Sequence, residues 1–258
     1  MIPEDSMIFY FSATGNCKMI AETISKKTGE KTVAIKDCML NKDFSFECGE
    51  GETIGFVTPT YFWGLPSVVS DFVKYLDIKH TEDVYAYTVS AYGTTTGQSA
   101  KFLADLLRKK GVSVSAAYSV KTVDTWVPMY NLKDKSKNEQ ITAAAMKEAE
   151  EVADKIQNRV QGNFVAAKLP LPLVNCYYRN YDKFRQTKYF FVNENCIGCG
   201  LCARQCPVKA IEIKDGKLTW VKNQCALCLG CLHRCPKAAI NYKCKNTHGQ
   251  FVNKTVKL

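Results

Sequence analysis

Eight of the 13 cysteines stand in two runs, CIGCGLCARQCP at 196–207 and CALCLGCLHRCP at 225–236. Both obey C-x2-C-x2-C-x3-C-P, so Cys196 answers to Cys225 and Cys206 to Cys235. The echo outlasts the cysteines: AIEI at 210–213 answers AINY at 239–242 in the same register, which marks a duplicated unit. Three cysteines spaced by two residues let one tight loop aim three sulfurs at a single cubane. The fourth, followed by proline, cannot easily fold back to its own loop and serves the other cluster. The pattern therefore assigns Cys196, Cys199, Cys202 and Cys235 to one [4Fe–4S] site, and Cys225, Cys228, Cys231 and Cys206 to a second.

Paired zinc sites are the competing reading. Four-cysteine zinc sites come as two separated C-x2-C pairs, so the doubled spacing and the Cys-Pro endings favour iron–sulfur clusters. His233 lies inside the second run, but four thiolates already complete each set; it reads as a loop residue that tunes the potential. Cys17, Cys38, Cys48, Cys176 and Cys244 fall outside the pattern and read as small apolar residues or free thiols. Over roughly 187–245 the chain resembles the bacterial two-cluster ferredoxins. That resemblance implies a small α+β domain with two low-potential clusters close enough to exchange electrons.

The residues before 160 must position whatever the clusters exchange electrons with. Apolar runs alternate there with amphipathic stretches. Strands are predicted at 7–12, 31–37, 52–60, 84–93 and 112–120, and helices at 16–29, 65–77, 96–111 and 138–160. Strand–helix alternation with buried strands predicts an α/β fold with a doubly wound parallel sheet, whose ligands bind at the carboxyl ends of the strands. Three loops fall there. FSATGNC at 11–17 offers Ser12, Thr14, Asn16 and the N–H groups near Gly15 to a phosphate at a helix N-terminus, or is an ordinary capped turn. It has neither a Walker lysine nor GxGxxG. PTYFWGLP at 59–66 and SAYGTTTG at 90–97 bring aromatics to the same edge. Tyr61 and Trp63 suit one wall of a flat isoalloxazine ring and Tyr92 the other, while Gly64 lets its peptide rearrange; plain core packing is the competing reading.

Together these loops resemble the flavodoxin family across about residues 6–160. The family's phosphate loop, S/T-x-T-G-x-T, is matched by Ser12, Thr14, Gly15 and Asn16, with Cys17 in place of the last hydroxyl, a weaker donor. The resemblance implies a five-stranded parallel sheet in order 2-1-3-4-5 and non-covalent FMN. It assigns FMN contacts to Ser12, Ala13, Thr14, Gly15, Asn16 and Cys17 in the first loop. In the second it assigns Pro59, Thr60, Tyr61, Phe62, Trp63 and Gly64, and in the third Ala91, Tyr92 and Gly93. The whole chain resembles flavodoxin–ferredoxin fusion proteins of anaerobic prokaryotes. The expected organisation is a flavodoxin-like unit at 1–160, an aromatic and basic linker at 161–186 and a two-cluster unit at 187–258 with a basic C-terminal tail.

At 258 residues the chain has length for two such units. Its net charge of +10 is uneven: residues 166–258 hold 16 Lys/Arg against 4 Asp/Glu. Nucleic-acid binding is disfavoured, because cluster thiolates offset part of that excess; the rest suits an acidic redox partner protein. The acidic opening, MIPEDS, has no basic leader, and no apolar run is long enough to cross a bilayer, so the expected place is the cytoplasm, with no membrane. There thiols stay reduced. The expected function is electron transfer between FMN and the two clusters and on to a partner. A flavin- and ferredoxin-dependent oxidoreductase acting on a small molecule is the alternative.

Overall fold

The computed structural model describes residues 6–81 and 83–258. All but Ser6 of the acidic opening on which the absence of a leader is expected, and the start of the first unit at residue 1, lie outside the described residues. The chain runs β1 (Met7–Tyr10), α1 (Asn16–Thr28), β2 (Lys31–Ala34), α2 (Ile35–Asn41), β3 (Ser45–Cys48), β4 (Thr53–Pro59), α3 (Ser67–Tyr75) and β5 (Asp77–His80). It continues through β6 (Tyr85–Tyr92), α4 (Ser99–Arg108), β7 (Val114–Lys121), α5 (Lys135–Gln157) and β8 (Gly162–Asn163). The main sheet has the order β2-β1-β4-β6-β7-β8, every neighbouring pair parallel. Its first five members reproduce the 2-1-3-4-5 winding.

Successive side chains on a strand point to opposite faces, and this divides the core. Phe9 and Phe56 pack with Val68, Phe72, Leu103 and Leu107 of α3 and α4 on one face. Ile8, Val57 and Val89 pack with Ile20 and Ile24 of α1 and Ala149 and Ile156 of α5 on the other. Central β6 is buried along its whole length, in keeping with a sequence broken only by the small hydroxyls Thr88 and Ser90. Residues 31–37, expected as one strand, split after Ala34, where α2 begins. The short parallel pair β3–β5 and the brief edge strand β8 were not anticipated. Helix α5 starts ahead of its apolar pattern because the Asp134 side chain caps it, accepting from Lys137 N at 3.0 Å.

Beyond β8 the aromatic stretch is built in rather than loose. It forms α6 (Leu171–Tyr178) and α7 (Tyr181–Phe184). The Tyr178 hydroxyl donates to Leu65 O at 2.5 Å, and that of Tyr181 donates to Ala226 O at 2.6 Å. Next come β9 (Phe190–Val192), α8 (Leu201–Arg204), β10 (Ile211–Lys214), β11 (Lys217–Trp220), α9 (Gly230–His233) and β12 (Ile240–Tyr242). β9 pairs antiparallel with β12 and β10 with β11. Duplication survives in three dimensions. α8 begins at Leu201 and α9 at Gly230, the offset that separates Cys196 from Cys225, and the left-handed residues Lys209 and Ala238 keep it. The C-terminal tail folds back on α1. Asn253 N donates to Thr14 O at 2.8 Å, and Phe251 is buried. Among the described residues, no helix is long and apolar enough to cross a membrane.

Candidate functional site

The carboxyl ends of β1, β4 and β6 open onto a cavity of about 330 Å³. From the first loop Ser12, Ala13, Thr14, Asn16 and Cys17 line it. From the second come Pro59, Thr60, Tyr61, Phe62 and Trp63, and from the third Ala91, Tyr92 and Gly93. Gly15 and Gly64 stand behind the wall. Gly15, at φ 101°, makes the turn into α1, and its N–H donates to Ser12 Oγ at 3.1 Å. A Cβ on Gly64 would stand 2.5 Å from the Tyr178 ring. Asn16 and Cys17 lie in the first turn of α1, so the positive end of the helix dipole faces the cavity. The Asn16 amide is already engaged: it donates to Val123 O at 3.2 Å and accepts from Asn253 Nδ2 at 3.4 Å. Burial pushes the Cys17 thiol well up, making it a poor stand-in for a hydroxyl.

The aromatic turn is tight. Tyr61 and Gly64 exchange backbone hydrogen bonds of 3.0 and 2.8 Å, and the two residues between them are left-handed, Phe62 at φ 50° and Trp63 at φ 63°. Bulky residues in that conformation store strain, which clusters at functional sites. Trp63 stacks on Tyr177 of α6 at 4.0 Å, so the stretch expected as a linker supplies part of this wall. Thr94, further along the third loop, also lines the cavity, with three residues that carried no motif: Asp124, Trp126 and Tyr130. Thr94 Oγ1 donates to Asp124 Oδ2 at 3.1 Å and lies 2.6 Å from the Tyr130 hydroxyl. Burial raises the Asp124 carboxyl, opposed by its bonds from Trp126 N and Thr94.

Two smaller cavities adjoin. One, about 20 Å³, is lined by Cys196, Cys199, Cys202 and Cys235. The other, about 40 Å³, is lined by Cys206, Cys225, Cys228 and Cys231, with Cys202 also on its wall. Each triplet thus meets the fourth cysteine of the opposite run. The turns match too: Ala210 N donates to Cys206 Sγ and Ala239 N to Cys235 Sγ, both at 3.3 Å. Among the described residues, no three His, Cys, Asp or Glu side chains converge on a point as a single metal ion requires. Each quartet rings a cavity, and a polynuclear cluster fits such a ring. Burial pushes the Cys202 and Cys225 thiols up to about 11 and Cys228 to about 12. Such a set is held deprotonated only by a cationic core, and an iron–sulfur cluster fits that need. Lys36 and Arg234 meet on Gln205 Oε1, at 2.9 and 3.0 Å, on the rim of the larger of these two cavities.

His233 is held at both ring nitrogens. Phe251 N donates to its Nδ1 at 3.2 Å, so the proton sits on Nε2, which donates to Thr125 O at 2.9 Å. Burial lowers its pKa to about 4. The neutral ring ties the second cysteine loop to the large cavity's wall and to the C-terminal tail.

Comparison with known proteins bears on both halves. A flavodoxin domain model matches residues 7–151. The chain belongs to the flavodoxin domain family. A 4Fe-4S dicluster domain model matches residues 195–240. Together these make the chain an N-terminal flavodoxin domain followed by an iron–sulfur domain, with a flavin and iron–sulfur clusters as its implied groups. No curated protein matches the chain. Among solved structures, it is similar to an azoreductase from Bacillus anthracis str. Sterne, at 13% identity over 58% of this chain and 99% of that one, TM-score 0.37. It is also similar to the flavodoxin of Streptococcus pneumonia TIGR4, at 18% identity over 58% and 98%, TM-score 0.34. A third, the rubredoxin oxygen:oxidoreductase of the anaerobe Desulfovibrio gigas, is 19% identical over 60% of this chain and 37% of that one, TM-score 0.35.

Proposed function

We propose that the chain is an electron-transfer protein that holds FMN in the large cavity and one [4Fe–4S] cluster in each cysteine cavity. One observation carries the reading: the three cavities share walls in series. Cys228 lines both the large cavity and the larger of the two cysteine cavities, and Cys202 lines both cysteine cavities. When bound, FMN supplies exchange between two-electron and one-electron chemistry, and the clusters supply one-electron storage.

The rest is the work of side chains. Ser12, Thr14 and the first turn of α1 hold the phosphate; Tyr61, Trp63 and Tyr92 flank the ring. The exchanged fourth cysteines, Cys206 and Cys235, lock the two cluster loops together. N–H bonds to the sulfurs, with Lys36 and Arg234 nearby, raise the potential of the inner cluster. At the far end Ile197 is 62% exposed and Cys199 is exposed, so electrons leave for a partner there. The basic C-terminal half suits an acidic redox protein, and eight reduced thiols suit an anaerobic cytoplasm. The functional units run about 1–160 and 187–258, with 161–186 joining them.

A second reading, reduction of a small molecule at the flavin, is favoured by the Asp124–Thr94–Tyr130 chain on the cavity wall, which suits proton delivery. Anaerobic reconstitution followed by assay for iron and flavin tests the main reading. It expects about eight irons and one FMN per chain, re-oxidised stoichiometrically by protein acceptors. Catalytic turnover of a small molecule favours the second reading, and failure to retain flavin overturns both.

A further inference from the structure

The two cysteine loops share one backbone but not one sequence. In the first, positions 198 and 200 are glycines at φ 64° and 73°. Their counterparts in the second loop are Leu227 and Leu229, held at φ 48° and 53°. Left-handed backbone crowds the Cβ of an L-residue against a neighbouring carbonyl, a penalty glycine escapes. Because glycine serves in the sister loop, leucine is not required to shape such a loop. Both leucines are buried, 4% and 3% exposed. Both line the large cavity and the adjacent cysteine cavity, with Cys228 between them. Ser12 and Ala13 of the phosphate loop complete the same partition. Contact there is close: a Cβ on Gly230 would lie 3.5 Å from Ala13 Cβ. The strain is therefore kept where the flavodoxin unit meets the inner cluster.

We propose that Leu227 and Leu229 are positioning residues for electron transfer, forming a dry wall that fixes the gap between flavin and inner cluster and keeps water out of it. The inference rests on the reading given under Proposed function. The step served moves one electron from reduced flavin to oxidised cluster, with no bond made or broken; an external donor or dithionite supplies the reductant. An apolar, water-free gap keeps the local dielectric low and shields the cluster from solvent, which sets its potential.

The test compares the reconstituted full chain with Leu227→Gly, Leu229→Gly and Leu229→Asn. Glycine restores the sister loop's backbone, and asparagine tolerates left-handed φ while wetting the wall. Cluster bleaching is followed after flash reduction of the flavin, and separately on exposure to dissolved oxygen. All three variants are expected to keep iron and flavin, slow the intramolecular phase at least about tenfold, and bleach several-fold faster in oxygen. Unchanged rates in cofactor-replete variants would overturn the proposal. So would loss of iron from the glycine variants, which would make the leucines builders of the cluster loop. A wild-type protein lacking any intramolecular phase would overturn the functional reading itself, a distinguishable result.

Discussion

Replacing Gly97 by alanine attacks the site at a three-way junction. Gly97 is left-handed, at φ 53°, and its carbonyl accepts from Leu169 N at 3.3 Å. The next residue's N–H donates to Trp63 O at 2.8 Å. A Cβ at position 97 would stand 2.5 Å from Trp63 Cβ and 2.6 Å from its carbonyl carbon, and closer still to its carbonyl oxygen. Restoring ordinary contact moves Trp63 by about 1 Å, which overpacking data place at ~1–3 kcal/mol. Left-handed strain adds ~1 kcal/mol, and weakening the bond from Gln98 N adds ~1 kcal/mol. The sum is about 3–5 kcal/mol, most of it falling on the Phe62–Trp63 turn. Gly51→Ala is the matched control: φ is 73°, but nothing lies within 4 Å of its Cβ position, so only the backbone term of ~1 kcal/mol remains. Urea unfolding and fluorescence titration of the apoprotein with FMN read the two variants. Gly97→Ala is expected to lose several-fold more stability and at least about tenfold in FMN affinity, with affinity unchanged in the control. Equal effects in the two variants would refute the reasoning that the turn at Trp63 is braced against Gly97.

On the proposed exchange of fourth cysteines, Cys235→Ser removes a ligand of the first run's cluster, so iron is expected to fall to about four per chain while the flavin stays; equal loss of both clusters argues against the exchange. Deleting residues 251–258 takes away the Asn253 bond to Thr14 and the buried Phe251. Flavin affinity, measured by fluorescence titration, is expected to weaken at least about tenfold. Burial raises the Glu30 carboxyl, which accepts from the Tyr87 hydroxyl at 2.7 Å. The stability that goes with a raised folded value is fully present below the unfolded value and is lost as pH climbs from there through the folded one. The stability of wild type relative to Glu30→Gln is therefore expected to fall as pH rises above about 4.3, and a flat difference in urea titrations contradicts this.

Legibility in the sequence followed the strength of local chemistry. The grouping of each cysteine triplet with the fourth cysteine of the opposite run around one cavity was legible because the Cys-Pro ending is a local constraint, and α8, α9 and their shared turns repeat at the offset of the cysteines. The central strands β1, β4 and β6 were readable from their apolar runs, buried on both sides. What escaped was non-local. Residues 31–37 look like one strand, yet nothing in them marks the turn at Ala34. Asp124, Trp126 and Tyr177 line the large cavity without a motif, because only the sheet's winding and α6 bring them there. Asn253 and the Gly15 it covers lie near opposite ends of the sequence, and the tail that carries Asn253 reads as loop. His233 could be excluded as a ligand, but its bonds to Thr125 and Phe251 needed the fold.

On the proposed function, flavin and clusters share one electron path inside a single chain. Flash reduction of the bound flavin at graded protein concentrations, followed by cluster absorbance, tests it most directly. Bleaching at a rate independent of concentration is the expected result. A rate that scales with protein concentration, or no bleaching in protein holding its full iron and flavin, would contradict it.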